Sequence, residues 1–577
     1  MTSRLIRRGK GVVDSLSGME DKGTVLQEGD VVWSVMLNQT DVSYGVKGHN
    51  KFYSFQIIID NSDGHRAYVF FKWGRVGAVR PQRKLHGPCT KDAAKEMFIA
   101  KFVLKTENEW PLVQPFVPVK GKYTLIELDY SGNDDCNADQ DDSTTVDKSS
   151  PVPPSSLPLS VQTFVKMICD VDLIAQEMTE MHLDLKRMPL GKLSKGQLAK
   201  GYAILHTISD TLNAITDMER SATTSAASTV QAAASTVPSG TRRRSSRAKA
   251  ATASAVKSQV AKCKAKLKAL TSEFYTLIPH NFGMSLPPVI DSVSELKLKL
   301  DLLEVMADVE LTHKMLETQR TTDANPVDAH YRALGVTLVP IDAMSPEFAR
   351  IQEYIKLTHA PTHRQYTLHV DAVHALDRDK HEGGSNRRAT DTPSTLFESL
   401  ENHQLLWHGS RLSNIASILT KGLRIAPPEA PSTGYMFGKG VYFADVASKA
   451  ANYCWASTNQ TKARPDPLSR PCNAIKVVLQ GVLILTEVAL GTSVKAVEAH
   501  EYSFEALQQL QCHSVLGVGR MTPTKASHFV SDDGVKMPMG MLEPTDADGT
   551  LLYNEYVVYR TDQMRMRYAV SVTFDFN

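Results

Sequence analysis

Three short segments in the C-terminal half of the chain decide how it is interpreted: LWHGS (406–410), GKGVYFAD (438–445) and YNEYVVY (553–559). They contribute His408, Tyr442 and Glu555, each in an apolar or glycine-flanked setting. Taken alone, a histidine or tyrosine in such a setting is more often a core residue than a catalytic one. A carboxylate in an apolar strand is costly to bury without a partner, and such residues often mark functional sites. The three segments therefore nominate a site only when they are considered together.

The rest of the chain is long and ordinary in composition. A length of 577 residues exceeds what one hydrophobic core supports, so we expect several domains. Apolar residues make up 42% and charged residues 22%, as in folded soluble domains. The sequence contains no apolar run near the roughly 20 residues that span a membrane, and its basic start lacks the apolar stretch of a secretory signal. We therefore expect no membrane association and a cytosolic or nuclear protein.

The cysteines and the net charge limit which metal sites, disulfides and nucleic-acid contacts can be expected. The seven cysteines are scattered and form no CxxC pair or Cys/His ligand cluster, so neither a zinc site nor a disulfide framework is predicted. The formal net charge is only +2, so any contact with nucleic acid must come from a local basic patch.

Two changes in composition divide the chain into regions. Residues 131–156 are polar, acidic and proline-ended, and residues 221–255 are low in complexity, with valine as their largest apolar residue. The predicted regions are a basic N-terminal tail (1–22), a first domain (23–130), a disordered linker (131–156), a helical domain (157–324) with a disordered insert (221–255), and a C-terminal domain (325–577).

The hydrophobic patterns predict a different architecture in each domain. β-branched and aromatic runs predict an antiparallel sheet in the first domain, at residues 31–37, 51–59, 67–73 and 122–128. Thr90 is a plausible N-cap for one helix, with Phe98 and Phe102 on one face. The region up to 324 has helical periodicity, with Leu198, Tyr202, Leu205 and Leu212 on one side of one predicted helix and Leu296, Leu300 and Leu303 on one side of another. Strand-like runs return after it. The C-terminal domain is therefore predicted to be mixed α+β.

The motifs and this order of domains resemble the poly(ADP-ribose) polymerases, specifically the short DNA-dependent type without zinc fingers. Residues 423–454 are similar to the family's donor loop and following helix, and residues 188–197 and 274–284 resemble its helical regulatory domain. FKWGRVG (71–77) resembles the WGR module. The resemblance implies a multidomain protein with a WGR domain of antiparallel sheet plus helix, an all-α regulatory domain and an α+β ADP-ribosyltransferase catalytic domain.

The resemblance also implies the reaction and its partners. NAD⁺ is a consumed substrate, and no prosthetic group or metal is expected. ADP-ribose is transferred to protein side chains, including the enzyme's own and those of histones, and nicotinamide is released. The expected activator is DNA with strand breaks, and the expected location is the nucleus.

Site residues follow from the matching positions. The resemblance implies His408, Tyr442 and Glu555 as catalytic residues. It places the donor side of the site at His408, Gly409, Ser410, Asn414, Gly422, Arg424, Tyr435, Tyr442 and Tyr453. Met436 and Lys449 are expected on the acceptor side. One departure is Ala450, where the family commonly has a serine that bonds the nicotinamide amide. Losing one neutral hydrogen bond costs about 0.5–1.5 kcal/mol net, so weaker NAD⁺ binding is expected.

The resemblance nominates regulatory and DNA-binding residues in the same way. Trp73 is expected to pack on a nucleotide at a DNA end and Arg75 to reach a phosphate, with Asn38 and Tyr123 as further DNA contacts. Glu304 and Asp308 lie four residues apart on a predicted helix that, in the family, covers the NAD⁺ site until DNA binds. A plain solvated acidic face is the alternative for these last two residues.

Two other functions fit the sequence. A mono-ADP-ribosyltransferase of the same architecture differs in product size, and Glu555 argues against it because such enzymes often lack this glutamate. A DNA-end-binding scaffold with an inactive transferase domain is not an enzyme, and the intact His408, Tyr442 and Glu555 argue against it. Labelled NAD⁺ with nicked DNA separates all three.

Overall fold

The structure is a computed structural model that describes residues 11–42, 49–78, 80–127, 153–182, 195–232, 242–283, 285–317, 325–377, 395–427, 430–431, 435–454 and 479–576. Side chains at 222–232, 242–253 and 308–317 lie outside this description, as does most of the predicted linker. The residues fall into two compact units. The first comprises Met1–Asp147, Ala175–Ala307 and Pro428–Gly434, and the second comprises Lys148–Ile174, Asp308–Pro427 and Tyr435–Asn577.

The first unit contains the predicted antiparallel sheet with one helix. Its strands are β1 (Gly23–Val25), β2 (Gln27–Glu28), β3 (Val31–Val32), β4 (Ser34–Asp41), β5 (His49–Asp60), β6 (Ala67–Arg75), β7 (Gln82–Cys89) and β8 (Thr124–Leu125). The order in the main sheet is β7-β6-β5-β4-β8, with β1 also paired to β5. Sequence analysis missed β7 because this edge strand is largely exposed and has no apolar pattern.

Helix α1 (Lys91–Thr106) covers this sheet as predicted. It begins after Thr90, whose side-chain oxygen accepts a hydrogen bond from the Ala93 N–H at 3.3 Å. Phe98 and Phe102 are both buried and pack against the aromatic and aliphatic residues of the sheet. The N-cap supplies one of the hydrogen bonds that a helix start lacks, and the apolar face supplies the packing.

The helical region comprises α2 (Leu159–Ile168), α3 (Val171–Glu180), α4 (Lys195–Ala232), α5 (Arg242–Leu277) and α6 (Val293–Glu317). The predicted apolar stripe from Leu198 to Leu212 on α4 is buried. The structure differs from the prediction over the insert 221–255, because α4 continues to Ala232 and α5 already begins at Arg242. The insert is rich in alanine, the best helix former, and helical propensity needs no buried core. Residues 233–241 lie outside the described part.

The second unit is mixed α+β, as predicted. Its helices are α7 (Pro326–Leu334), α8 (Pro346–Leu357), α9 (Thr395–Ser399), α10 (Leu412–Lys421), α11 (Ala447–Ala451) and α12 (Phe504–Gln509). Its strands are β9 (Thr337–Pro340), β10 (Tyr366–Asp377), β11 (His403–Gly409), β12 (Val441–Phe443), β13 (Leu479–Ala489), β14 (Ser493–Ala496), β15 (Ser514–Gly517), β16 (Met521–Pro523), β17 (Phe529–Val530), β18 (Lys536–Met537), β19 (Leu542–Pro544), β20 (Glu555–Val558) and β21 (Met564–Phe576).

Two sheets of this unit position the three signature segments. The larger has the order β17-β18-β11-β13-β21-β10-β9, and the smaller has the order β12-β20-β15-β14. Trp407 of β11 exchanges two backbone hydrogen bonds of 2.9 Å with Ala444, just after β12. Strand β12 in turn pairs with β20. This chain of pairings brings the ends of β11, β12 and β20 to one place.

Helix α2 packs with the second unit. Val161, Phe164, Val165 and Ile168 are each at most 2% exposed and share a core with residues of α7, α10 and β13. Sequence analysis placed this helix in the regulatory domain that begins at 157, whereas its contacts group it with the catalytic sheets. No described helix of the chain is long and apolar enough to cross a membrane.

Candidate active site and nucleic-acid surface

His408 lies near the end of β11, and one hydrogen bond sets its protonation. Its Nδ1 is 3.0 Å from the carbonyl oxygen of Tyr442. A carbonyl oxygen only accepts, so Nδ1 carries the proton and Nε2 is left as an acceptor. Burial lowers the pKa of His408, and the hydrogen bond to Tyr442 only partly opposes this. The ring is therefore neutral at pH 7, with Nε2 suited to accept from a sugar hydroxyl.

The two residues after His408 are held by the protein itself. A side chain at Gly409 would place its Cβ 1.9 Å from the carbonyl oxygen of Ala450. The close neighbour that leaves no room for a side chain at Gly409 is the backbone of α11. The Ser410 hydroxyl accepts from Asn414 Nδ2 at 3.2 Å, and Asn414 is 7% exposed. Asn414 therefore orients Ser410 from behind.

Tyr442 is fixed at its hydroxyl end. The hydroxyl donates to the Gly438 carbonyl at 2.8 Å and accepts from the Phe437 N–H at 3.0 Å. Burial raises the pKa of Tyr442, so it stays protonated. The Tyr435 ring lies 5.9 Å from the Tyr442 ring, centroid to centroid. Tyr453 follows α11 in a short turn and is 41% exposed. The predicted place of Tyr442 and Tyr453 on the donor side of the site stays a prediction.

Glu555 begins β20 and has a cationic partner. Its Oε1 lies 3.0 Å from Lys449 Nζ, and both side chains are 15% exposed. The same ammonium donates to the carbonyl oxygens of Tyr553 at 2.8 Å and Asn554 at 3.0 Å. A carboxylate that is mostly buried thus has a cation as its partner. The family resemblance placed Lys449 on the acceptor side, and the sequence contained no signal for this ion pair.

Three further predicted site residues lie at the end of α10 and on the chain that leads to β12. Gly422 ends α10 with a φ of 82° and donates its N–H to the Ile418 carbonyl at 2.8 Å. Arg424 is exposed, and Met436 is half-buried, with its carbonyl accepting from the His500 N–H at 3.1 Å. Within the described ranges, no group of three or more His, Cys, Asp or Glu side chains is arranged to hold a metal ion.

The first unit carries an aromatic–lysine surface, formed by Tyr53, Trp73, Tyr123, Lys51 and Lys105. Tyr53 and Trp73 are stacked at 5.6 Å with planes 12° apart, and Tyr123 meets Tyr53 edge-on at 6.2 Å. Lys105 Nζ lies 4.7 Å from the Tyr53 ring, and Lys51 Nζ lies 5.4 Å from the Tyr123 ring. Sequence analysis named Trp73 and Tyr123. The other three were missed because only strand pairing and helix packing bring them together.

Several of these groups have perturbed pKa values. Burial, reinforced by Lys101 and Lys51, lowers the pKa of the Lys105 ammonium. Burial raises the pKa of Tyr123 to about 12. Three lysines near one another in a partly dry setting repel, and a polyanion relieves that repulsion. The surface therefore combines ring faces for stacking with cations for phosphates.

Asn38 is not part of this surface, and its predicted DNA contact stays a prediction. Asn38 is fully buried, and its Nδ2 donates to the carbonyls of Tyr275 and Thr276, both at 3.0 Å. These carbonyls lie in the last turn of α5, where a helix leaves its C=O groups without internal partners. Asn38 therefore acts as a cap supplied by the sheet.

Other side chains complete this contact. The Thr40 hydroxyl donates to Tyr275 at 3.3 Å, and Asn50 Nδ2 donates to His280 at 2.7 Å, each to the carbonyl oxygen. We call the contacts of Asn38, Thr40 and Asn50 with residues 275–280 the α5 interface. Arg75 also makes a protein contact, because its guanidinium donates to the Ser285 carbonyl at 2.8 Å. Its predicted phosphate contact stays a prediction.

The predicted regulatory pair lies on α6. The Glu304 side chain is exposed, between the buried Leu303 and Val305. Asp308 belongs to the same helix, and its side chain lies outside the described residues. The regulatory role of the pair stays a prediction.

Comparison with known proteins matches this architecture in order. The chain matches the family descriptions "WGR domain" over residues 33–117, "Poly(ADP-ribose) polymerase, regulatory domain" over 155–331 and "Poly(ADP-ribose) polymerase catalytic domain" over 345–574. It is 36% identical to poly(ADP-ribose) polymerase 2 of Homo sapiens over 580 residues, covering 99% of this chain and 85% of that protein. The corresponding protein of Zea mays is 37% identical, with 96% and 72% covered.

A longer relative is also similar. Poly(ADP-ribose) polymerase 1 of Gallus gallus is 34% identical over 99% of this chain, which spans 48% of that protein. The fold and the matched catalytic domain define an NAD⁺ ADP-ribosyltransferase. The chain belongs to the poly(ADP-ribose) polymerase family, and the resemblance drawn from its motifs is confirmed.

Proposed function

We propose that DNA strand breaks activate this polymerase, and that it acts in the nucleus in DNA damage signalling and repair. Its acceptors are protein side chains, including its own and those of histones. The observation that carries the proposal is the aromatic–lysine surface. Since the whole chain has a net charge of only +2, a local cluster is the kind of feature that DNA binding requires.

The form of this surface favours a DNA end over a continuous duplex. Bases inside a duplex are stacked on each other, so a partly buried ring such as that of Trp73 finds a free base face only at a break or an end. Lys51 and Lys105 lie over the neighbouring tyrosine rings, where they supply positive charge for a terminal phosphate. Binding in this mode depends on salt, because phosphate contacts release counterions.

The α5 interface supplies a route from this surface to the regulatory helices. Asn38 is on β4, and β4 pairs with β5, which carries Tyr53 and Lys51. DNA bound to the surface activates the enzyme only if it favours the active state over the inactive one. A shift in the sheet changes the cap on α5, and the proposed result is a regulatory domain that no longer covers the NAD⁺ site.

Donor binding is assigned to the residues around His408. Gly409 and Ser410 hold the nicotinamide amide, which presents both a donor and an acceptor. Tyr442 and Tyr453 pack on the two faces of the nicotinamide ring, which is planar and cationic. His408 Nε2 accepts from a hydroxyl of the adenosine ribose. Together these contacts hold NAD⁺ with its glycosidic bond near Glu555.

Bond cleavage is assigned to Glu555. The bond between ribose C1′ and the nicotinamide nitrogen breaks, and its electron pair leaves with nicotinamide. The ribose develops the positive charge of an oxocarbenium ion, as in glycoside cleavage. The Glu555 carboxylate stabilises that charge and bonds the 2′-hydroxyl. An acceptor oxygen then forms a bond to C1′ and loses its proton. When the acceptor is a ribose hydroxyl of an attached unit, the polymer grows.

The experiment incubates the full chain with labelled NAD⁺, with and without nicked DNA carrying a 5′-phosphate, and separates the products on a sequencing gel. We expect long polymer only with DNA. Single ADP-ribose units would favour the mono-transferase alternative, and equal polymer without DNA would overturn DNA activation.

A matched pair of variants tests the surface itself. Lys105→Met removes the cation that lies over the Tyr53 ring. Lys95→Met is the control: Lys95 is on the same helix, α1, and its ammonium pairs with the Glu28 carboxylate at 2.5 Å. Trp73→Ala is a third variant, and it removes stacking worth about 1–3 kcal/mol per base. We therefore expect the DNA concentration needed for activation to rise about tenfold or more. Lys95→Met should titrate like the parent. Equal titration curves for all three variants would show that DNA binds elsewhere.

A further inference from the structure

A buried carboxylate lies behind the strand that carries Glu555. Asp445 follows β12 by two residues and is 1% exposed. Its Oδ2 accepts from Asn554 Nδ2 at 2.7 Å and from the Tyr556 hydroxyl at 3.1 Å. Its Oδ1 is buried and has no hydrogen-bond partner among the described residues. The two donors are the neighbours of Glu555 on either side, and neither the motif comparison nor the proposed mechanism gives Asp445 a role.

Strand geometry connects Asp445 to the direction of Glu555. Successive side chains along an extended chain point to opposite faces. Asn554 and Tyr556 therefore point to one face and Glu555 to the other. By holding Asn554 and Tyr556 on the face opposite Glu555, Asp445 restricts the backbone rotation that would move the Glu555 carboxylate.

Asn554 is held on its other sides as well. Its Oδ1 accepts from the Gly519 N–H at 2.9 Å, and its Nδ2 also donates to the Thr522 hydroxyl at 2.9 Å. Every hydrogen-bonding group of this amide side chain is thus used, which fixes its rotamer. The Asn554 side chain therefore fixes the start of β20. Lys449 holds the same segment by donating to the carbonyls of Tyr553 and Asn554.

Retaining a carboxylate here is costly. Burial raises the pKa of Asp445, and the hydrogen bonds from Asn554 and Tyr556, together with Lys449, oppose the shift. A buried acidic group of this kind contributes less to stability than a well-packed apolar residue of similar size. Its position four residues before Lys449 means that one short segment holds Glu555 from two directions.

We propose that Asp445 is a positioning residue for ADP-ribosyl transfer. Its carboxylate holds Asn554 and Tyr556 so that Glu555 meets the reacting ribose in the productive orientation. This inference rests on the catalytic role proposed above for Glu555. It predicts an effect on turnover and none on donor binding, because the Asp445 carboxylate accepts from Asn554 and Tyr556, and neither is a residue assigned to the nicotinamide.

The test is steady-state kinetics of the full chain at saturating nicked DNA. Misplacing a catalytic group by about 1 Å costs up to about a hundredfold, so Asp445→Ala should lower kcat at least about tenfold while KM for NAD⁺ stays within about twofold. Asp445→Asn keeps an oxygen that accepts from both neighbours and should restore most of kcat. Tyr556→Phe removes one of the two contacts and should show a smaller fall of the same kind.

A matched control separates positioning from simple stability. Thr358 is fully buried, and its hydroxyl accepts from the N–H of Ala447, two residues after Asp445, at 3.1 Å. Thr358→Val therefore removes a buried hydrogen bond near Asp445 and leaves the segment of Glu555 unchanged. It should lower the melting temperature and leave kcat unchanged. The same loss of kcat in Thr358→Val would overturn the proposal.

A double variant makes the dependence on Glu555 explicit. If Asp445 acts through Glu555, adding Asp445→Ala to Glu555→Gln should lower the residual turnover no further. An additive loss, or a parallel rise in KM, would overturn the positioning role. Should Asp445→Ala fail to fold, Tyr556→Phe decides by the same criteria. Full turnover in Glu555→Gln alone would instead refute the role of Glu555, so the two failures are distinguishable.

Discussion

The ammonium of Lys449 lies 3.0 Å from the carboxylate of Glu555 and also donates to the two carbonyls that precede it. Lys449 thus holds the side chain and the main chain at the start of β20 with one group. Coulombic attraction is strong at this separation when both side chains are mostly buried. The residue predicted to face the acceptor therefore also organises the proposed catalytic glutamate.

Replacing Glu555 with glutamine should abolish polymer while leaving NAD⁺ binding in place. The amide still forms hydrogen bonds but carries no charge to stabilise the developing cation, and loss of one such group typically costs about 10²–10³ in kcat. Gel analysis of products measures the polymer, and the shift in melting temperature with added NAD⁺ measures binding. Long polymer from this variant would refute the assigned role.

Replacing Lys449 with methionine should lower turnover and stability together. The change leaves Glu555 and two carbonyls without their donor, and an unpaired buried group costs about 1–3 kcal/mol, more when charged. Lys449→Arg keeps the charge and should lose less on both counts. Thermal unfolding and initial rates at saturating DNA check the two effects. Unchanged stability in Lys449→Met would show that the ion pair contributes nothing in solution.

Asn38→Ala distinguishes the α5 interface from a DNA contact. The variant loses two hydrogen bonds to the end of α5, so the free energy of unfolding should fall by about 1–3 kcal/mol. Affinity for nicked DNA, measured by fluorescence anisotropy, should change little, while DNA stimulation of activity decreases. Gln39→Ala, one position along the same strand, is the control. A large loss of affinity with unaltered stability would restore Asn38 as a DNA contact.

The position of α2 alters how autoinhibition should be tested. If the regulatory domain covers the NAD⁺ site, replacing residues 175–322 with a flexible linker should give activity without DNA. Removing residues 157–322 also deletes the four buried side chains of α2, each worth about 1.5–3 kcal/mol of burial. We expect both deletions to be DNA-independent and the larger one to melt at a lower temperature.

Two results would contradict this view. Continued need for DNA after the smaller deletion would show that residues 175–322 are not the cover. Equal melting temperatures for the two deletions would show that α2 does not stabilise the catalytic unit. Hydrogen exchange in residues 296–307 of the intact chain provides a third measure, because release of the cover predicts faster exchange when nicked DNA binds.

His374 predicts a loss of stability in acid. It is fully buried on β10, with its ring 5.0 Å from that of Phe164 in α2, and burial lowers the pKa of His374 to about 4. The unfolded chain, with a pKa near 6.5, binds the proton more tightly, so this contribution is complete above about pH 6.5 and is lost towards pH 4. The slope is at most about 1.4 kcal/mol per pH unit.

The corresponding measurement compares unfolding of the parent and His374→Leu at pH 7 and pH 5. The variant should lose less stability between the two, because it has no imidazole to protonate. Identical pH dependence would mean that His374 is not buried in the neutral form.

Local patterns carried much of the fold prediction. The cap at Thr90, the buried pair Phe98 and Phe102, and the apolar stripes of α4 and α6 each depend on neighbours within a few turns, so periodicity reveals them. The edge strand β7 was not predicted, because an exposed strand has no pattern of apolar residues. The helical parts of the insert were not predicted, because its low complexity was interpreted as disorder although its alanines favour helix.

Contacts between distant segments were beyond the sequence. Nothing in the pattern around Asn38 distinguishes an amide that meets DNA from one that caps a helix more than 200 residues away. Lys105 is an ordinary helix lysine until β5 places Tyr53 beneath it. The motifs nominate the signature residues by their identities and order, and the catalytic roles of those residues stay a prediction. The contact of Lys449 with Glu555, and those of Asp445 with Asn554 and Tyr556, depend on the fold.

The α5 interface has a consequence for the size of the response. A ligand shifts an equilibrium only by the difference between its interaction free energies with the two states. The four neutral hydrogen bonds described for this interface, each worth about 1 kcal/mol net, limit what passes through them to about 4 kcal/mol, or a factor on the order of 1,000 in an equilibrium constant. The dynamic range of this relay is therefore finite. If DNA breaks activate the enzyme as proposed, the strength of these few hydrogen bonds sets its turnover without broken DNA, and strengthening or weakening them changes both that basal turnover and the response to a break.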